Sequence, residues 1–381
     1  MTRYFNYDEL TWPEVADLPR DTPLILPLGE GYDLQKLSEA LDAPPQAGLL
    51  PAVPFGWRGS GLAVAEPLLG RLLANLLDSL RDDGFSRVFA LTAQGIDLGL
   101  DSNRLTQPHA TQFAPSPLLP SPGDEDKVVL LPIGHTEQHG HHLPLSTDTL
   151  IIGAIGQGAA ETAPQLTACL PVFPYGVSTH RASFAGTLNA GGRAFEDFWL
   201  GVIDVLVARG FNRLYLMSGH GGNVSFLVNV VKYAGERHRR VFCATAWLHT
   251  SGKQGAEALA RYRRSQRGGM GHAGELETAM ILHLRPDLAR MDRVVDETDF
   301  VTSENYYMDW IEGGALIANP PWDDDTATGA YGAGSVATTE NGRLWLEAAI
   351  AEKAAHVREI REQHRRREER RARGYGLWGR P

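Results

Sequence analysis

Cysteine is almost missing from this chain. Two of its 381 residues, Cys169 and Cys243, carry a thiol, and both sit inside apolar runs. They read as two buried thiols rather than a disulfide, which fits a reducing cytoplasm. Long apolar runs are missing too, and none approaches the ~20 residues that a membrane helix needs. The opening MTRYFNYDEL lacks a basic segment followed by an apolar one, so no signal peptide is expected. Positive charge is in deficit, with 36 Lys and Arg against 46 Asp and Glu and a formal net charge of −10. Such a molecule is a poor match for a nucleic-acid backbone. These absences leave a soluble cytoplasmic protein with neither nucleic-acid nor membrane partners. Its composition is ordinary (43% hydrophobic, 22% charged), and its length suits two domains.

Against that background one stretch is dense in ligand chemistry. Leu131–Thr149 reads LPIGHTEQHGHHLPLSTDT and holds a glutamate, four histidines and an aspartate behind the apolar run Val128–Leu131. Glu137 and His139 lie two apart, so on an extended segment they project to the same side. Asp148 follows beyond the Leu143-Pro144-Leu145 turn. His220 sits in SGHGGN, after the predicted strand Arg213–Met217, where glycines let backbone come close to a site. Both loops follow strands, and ligands of an open α/β sheet gather at the carboxyl ends of its strands. The two loops are therefore expected to meet.

A third piece is GGMGHAGELETAM, residues 268–280. Glu275 lies three residues after His272 and shares its face if a helix begins there. Glu277 lies five after it and points elsewhere unless the first turn is irregular. Imidazoles and carboxylates without thiols suit Zn²⁺, Mn²⁺ or Fe²⁺ and argue against a structural zinc knuckle. Glu137, His139, Asp148 and His220 are thus read together as a metal site, with Asp148 able to bridge two ions. Such a pair lowers the pKa of a shared water and stabilises a developing oxyanion. His272, if it is not a ligand, is placed for proton transfer to a leaving nitrogen. His141 and His142 read as supporting or surface residues.

The chain also repeats itself. LILPLG (24–29) matches VLLPIG (129–134), LPAVPF (50–55) matches LPVFPY (170–175), and GFSRVFALT (84–92) matches GFNRLYLMS (210–218). The three matches come in the same order, at separations that grow along the chain, so the second copy carries insertions. Helices are predicted at Asp33–Leu41, Glu66–Asp82 and Phe195–Arg209, with strands at Pro23–Pro27, Leu49–Phe55 and Arg87–Thr92. The fold class is α/β, a mostly parallel sheet flanked by helices, preceded by a shortened, ligand-free copy of the same core. The expected divisions are 1–108 for that copy, a Pro-rich linker at 109–126, a catalytic domain at 127–359 and a basic tail at 360–381.

Four motifs in order, LPIGHTEQHGHHLPLSTDT, YGVSTHRASFAGTLN, SGHGGN and HAGELET, resemble the creatininase (creatinine amidohydrolase) family across Val128–Leu284. The resemblance implies an α/β homo-oligomer, commonly a hexamer, with two divalent metal ions per subunit. It implies that Glu137 and His220 hold one ion, His139 the other, and that Asp148 bridges them. His272 would then work in proton transfer with Glu277 beside it, and Ser178 and His180 would touch substrate. The chain departs from creatininase itself at Gly222, where that enzyme has a glutamate ligand. Glu275 is the expected replacement, with Glu277 next. Thr179 and Ala185 also replace the family's acidic residue and proline, so creatinine is not the expected substrate. The GHGGN form resembles the branch that holds formamidopyrimidine deformylases, a peptidase-like enzyme of mycofactocin maturation and a keto-inositol hydrolase.

The expected activity is metal-dependent hydrolysis of a C–N bond in a small cyclic amide or formamide, through a metal-bound hydroxide. The alternatives are C–C or lactone hydrolysis of a cyclic polyol ketone, and peptidase-like maturation. For the N-terminal copy the alternative to catalysis is a role as an assembly or lid module.

Overall fold

Two parallel sheets face each other across a layer of helices. In this computed structural model, residues 2–93, 95–100, 104–106, 117–179 and 183–374 are described. The first sheet holds β1 (Arg3–Asn6), β2 (Leu24–Pro27), β3 (Gln46–Leu49), β4 (Val88–Thr92) and β5 (Arg104–Thr106), in the order β1-β3-β2-β4-β5. The second holds β6 (Val128–Ile133), β7 (Thr167–Cys169), β8 (Arg213–Ser218) and β9 (Phe242–Ala246), in the order β7-β6-β8-β9. Every pairing between these strands is parallel.

Without β1, the first sheet has the strand order of the second. The registers agree as well. Leu24 faces Val88 and Pro27 faces Leu91 in the first sheet; Val129 faces Leu214 and Pro132 faces Met217 in the second. These are the residues that the matching sequence segments align. Past the strand ends, the bridge Leu28–Val53 has its equal in Ile133–Phe173.

The helices follow from apolar periodicity. In α3 (Glu66–Asp82), Leu69, Leu72, Leu73, Leu76, Leu77 and Leu80 fall on one buried stripe. α5 (Gly192–Ala208) buries Phe195, Phe198, Trp199, Val202, Ile203 and Leu206 in the same way. α2 (Leu34–Ala40) is capped by Asp33, whose carboxylate accepts the amides of Gln35 and Lys36. The Trp12–Ala16 segment forms a single short helix, α1. β3 ends at Leu49, so the prolines at 51 and 54 lie beyond the strand and not within it.

Alternation along β6 sets the layers. Val129, Leu131 and Ile133 join α3, α5, α6 (Val224–Arg237) and the inner face of β2 in one core that runs through both halves. Val128 and Leu130 point the other way, into a second core with α4 (Thr147–Thr162), α8 (Glu275–Leu284) and α9 (Thr339–Ala372). The first sheet's outer face is covered by α2 through Ile25, Leu37 and Leu91.

α9 is 34 residues long and crosses position 359 without a break, so the basic run 360–372 is the end of a helix. Its glutamates explain this, since Glu362 pairs with Arg365 and Arg366 one turn on. In the middle of α9, buried Glu352 accepts the amides of Ser251, Gly252 and Gly255, at the start of α7 (Lys253–Tyr262), and pairs with Lys353. Residues 109–116 of the expected linker lie outside the described residues. Its end is tied to both halves, through Leu119 N to Gly61 O and Arg209 to Leu119 O. Cys169 and Cys243 are free, and burial pushes both thiols up to about 12. No described helix is long and apolar enough to cross a membrane.

Candidate metal centre

The carboxyl end of the second sheet is where β6, β8 and the start of α4 converge. Two glycines make the approach feasible. A Cβ on Gly134 would lie 2.5 Å from Thr149 Cα, and one on Gly219 would lie 2.5 Å from the carbonyl oxygen of Asp148. Asn223 then ties the edge together, accepting Val177 N at 2.9 Å and donating to Gly134 O at 3.2 Å. This accounts for the SGHGGN spacing: glycines for proximity, the histidine for the site, the asparagine for the stitch.

Glu137, His139, Asp148, His220, His272 and Glu277 are all buried and all meet here. Asp148, in the first turn of α4, sends Oδ1 to His139 Nε2 at 3.1 Å and Oδ2 to within 3.2 Å of His220 Nδ1. Glu137 Oε1 lies 2.8 Å from the same His220 nitrogen and 3.6 Å from His272 Nδ1. Glu277 Oε2 lies 3.8 Å from His139 Nε2. The ligand atoms of three residue sets, His135/Glu137/His220, Glu137/His139/His272 and His139/Asp148/Glu277, lie within 4.8 Å of one another.

Backbone carbonyls orient the rings. His139 Nδ1 donates to Glu137 O at 3.1 Å and His220 Nε2 donates to Val177 O at 2.9 Å. The other nitrogen of each ring is thereby left facing the carboxylates, the arrangement of a metal-ligating histidine with its second N–H anchored. His272 Nε2 donates to Gln138 O at 2.7 Å, and its ring stacks on His139 with centroids 4.2 Å apart.

The electrostatics separate the groups. Burial alone would depress His139, but Asp148, Glu277 and Glu137 lift it to about 9. His220 is raised for the same reason, by Glu137 and Asp148 against its burial. Burial disfavours the charged forms of Glu137 and Asp148, yet the facing histidines hold both carboxylates well below their usual range. His272 is pulled down to about 3 by burial and by His139, and is neutral. Glu277 is pushed up to about 7 by burial, with His139 opposing.

Glu275 goes elsewhere, which corrects the expectation for the missing ligand. α8 begins at Glu275, not at His272; Ala273 has φ +53, so no helical turn joins His272 to Glu275. The Glu275 carboxylate reaches back to Arg264 N (3.0 Å) and Ser265 N (2.7 Å), a structural cap outside the cluster. The irregular entry instead turns Glu277 inward, its Oε2 accepting Ala273 N at 2.6 Å. At Gly222, a Cβ would come 2.3 Å from Val177 O and 2.4 Å from His220 Nε2. A glutamate there would displace the bond that orients His220.

Ser178 is buried next to Val177. His180 lies outside the described residues. Thr179, at the altered position, is exposed and bonds Asn319 at 3.1 Å. His142 is buried on Thr278 (2.9 Å), and half-buried His141 lies 5.2 Å from the Trp12 ring, so both support the site from outside.

His135 is the residue that sequence reasoning leaves without a role. Its Nδ1 accepts Gly176 N at 2.9 Å, and its ring lies 4.4 Å from that of His220. A neutral imidazole accepting at Nδ1 carries its hydrogen on Nε2, so His135 faces the cluster as a donor. Its presence in the same histidine-rich stretch was the available signal. Nothing local announces Trp322, whose ring lies 4.8 Å from His272 and joins Tyr331 and Phe184 in an aromatic wall. The first half reaches this wall as well. Trp12 packs on Phe184 at 5.3 Å and donates to Thr328 O at 2.8 Å. The carbonyls of Asp8 and Leu10 accept the amides of Ser146 and Leu145, just before Asp148.

A family model described as Creatininase: Creatinine amidohydrolase matches residues 120–357. Over 173 residues the chain is 34% identical to the mycofactocin precursor peptide peptidase of Mycobacterium ulcerans (strain Agy99), a match covering 44% of this chain and 62% of that relative. It is 31% identical over 254 residues to the creatinine amidohydrolase of Pseudomonas putida, covering 61% of this chain and 90% of the relative. The solved structure named Creatininase Mn superposes with a TM-score of 0.52 at 27% identity, over 61% of this chain and 91% of that one.

Proposed function

The chain belongs to the creatininase family, and on that footing we propose that it is a metal-dependent hydrolase cleaving a C–N bond of amide type. The observation that carries this reading is the buried cluster at the carboxyl edge of the second sheet, where carboxylates and oriented imidazoles converge without a thiol. The donor set fits two divalent ions. Glu137 and His220 would hold one, His139 and Glu277 the other, and Asp148 would serve both, since its two oxygens already face different histidines. Solved creatininases named for manganese and for a zinc pair support the choice of Mn²⁺ or Zn²⁺. When bound, such a pair polarises a carbonyl and makes water nucleophilic at neutral pH.

The chain's own groups do the rest. Glu137 O and Val177 O hold the two imidazoles with the correct nitrogen inward. His272 is neutral, with its Nε2 hydrogen committed to Gln138 O, so Nδ1 is the atom that receives a proton and passes it to the leaving nitrogen. The wall formed by Trp322, Tyr331 and Phe184 keeps water from the far side of His272.

The amide substrate is small and cyclic, or a formamide. A second reading, cleavage of a peptide, is supported by the 34% identity over 173 residues to a mycofactocin precursor peptide peptidase. Elemental analysis of the purified protein, then a screen of cyclic amides, formamides, lactones and short peptides, tests both. Two first-row ions per chain are expected. Asp148→Ala should lose both and lower turnover by ~10³-fold or more. Full activity of metal-free Asp148→Ala protein would sink the mechanism.

A further inference from the structure

We propose that the first half is a diverged copy of the second and serves as its built-in partner subunit, covering, about a local two-fold axis, the α5 face on which another catalytic half would dock. Three sets of contacts carry this. α3 and α5 are each 17 residues long and occupy equal places after β3 and β7. They pack on each other, and their sixth residues, Arg71 and Asp197, form an ion pair at 2.9 Å. Equal positions meet each other only on a two-fold axis; any other arrangement of two copies brings unlike positions together.

The second set is reciprocal. Asn75, tenth in α3, donates to Ala190 O at 2.7 Å, and Ala190 stands two residues before α5. Gly201, tenth in α5, has its Cβ position 3.6 Å from Val64, which stands two residues before α3. Residue i of one half thus touches residue j of the other, and j of the first touches i of the second, the signature of an isologous interface. The third set is the groove beside this contact. Pro51, Ala52 and Pro54 line one side and Pro171, Val172 and Pro174 the other, and these are the positions that the LPAVPF and LPVFPY segments align.

The contact is apolar at its centre, with Phe55 on Phe173 at 5.5 Å and Phe198 against Gly56, inside the single core that runs through both halves. A face buried so fully within the chain is closed to a second molecule. The axis maps the metal cluster onto the edge of the first sheet, where Gly29-Glu30-Gly31 stands in place of the ligand loop, so each such pair holds one metal centre. This inference does not depend on the reaction that the cluster performs.

Cross-linking of the full chain tests it. Arg71→Cys combined with Asp197→Cys, treated with a short bismaleimide, should link within single chains in most molecules. Asp197→Cys alone should give no more two-chain product than wild type. Hydrogen exchange supplies the second measurement: α3 and α5 amides should stay equally protected through a hundredfold dilution. Three results would overturn the proposal: a dominant two-chain product from Asp197→Cys, no internal link in the double variant, or α5 protection that falls at least tenfold on dilution.

Discussion

The two sheet edges of this molecule share one topology and differ in nearly everything that touches water or charge. At the second edge the strand ends open onto loops that carry histidines and carboxylates, and Glu137 and Asp148 there are held ionised. At the first edge Tyr32 closes the gap, its hydroxyl donating to Leu28 O at 2.6 Å and Leu91 O at 3.0 Å. Two aspartates make the contrast concrete. Asp148 has His139 and His220 against its oxygens and sits well below the usual range. Asp8, beside the first edge, is half-buried without such partners, and desolvation pushes it up to about 6. A common fold therefore fixes where a site can be, and the immediate charge environment decides whether a buried acid there is useful or a liability.

The contrast can be broken at several points. The largest effect is expected at Glu277→Gln, which should lower turnover by ~10²–10⁴-fold and release metal, read by elemental analysis and rate. Glu275→Ala should leave the metal in place and lower thermal stability by ~1–3 kcal/mol, since the amides of Arg264 and Ser265 both lose their acceptor. Equal metal loss in both would mean that Glu275 reaches the cluster. Next, Phe55→Ala removes a first-half side chain from the shared core. A loss of ~3–5 kcal/mol is expected, with both halves still unfolding together in calorimetry; two separated transitions would show the cores to be independent.

Gly222→Glu should weaken metal binding by ~10–100-fold, since its Cβ collides with the carbonyl that orients His220. Tighter binding, measured by competition with a chelator, would contradict this. The smallest effect belongs to Asp8→Asn. Asp8 binds its proton more tightly folded than unfolded, so its contribution is intact below about pH 4 and is lost as pH rises through about 6. The substitution should gain ~1–3 kcal/mol over wild type at pH 7.5 and little at pH 4, in denaturant titrations. A pH-independent difference would place Asp8 in solvent.

Much of this was legible beforehand because it rests on local pattern. The leucine stripe of Glu66–Asp82 gives α3 to the residue, and the repeated LP and GF segments give the register of both sheets. Glu137, His139, Asp148 and His220 converge because strand ends converge, which topology makes predictable. What was not legible depends on single backbone angles or on distant chain. Ala273 at φ +53 exchanges Glu277 for Glu275, and no spacing rule reveals that. Trp12, at the start of α1, and Trp322, in a short 3-10 turn, arrive from chain far from the motifs they flank. A count of charge alone does not tell a helix end from a tail after 359; Glu362 and its arginines make residues 360–372 helix.

The placement of α9 has a consequence for how the protein is made. α4, α7 and α8 all lie on this helix, and the start of α7 takes its cap from Glu352 within it. A nascent chain therefore finishes the first sheet once residue 106 has emerged, long before the last support of the buried histidine–carboxylate cluster exists. Through that interval α3 packs on β4, but the side of it that α5 will cover stays bare. Synthesis passes through a half-built state with an exposed apolar stripe, the kind of species that chaperones hold. Chains cut within α9 should collect as aggregates rather than as slow enzymes.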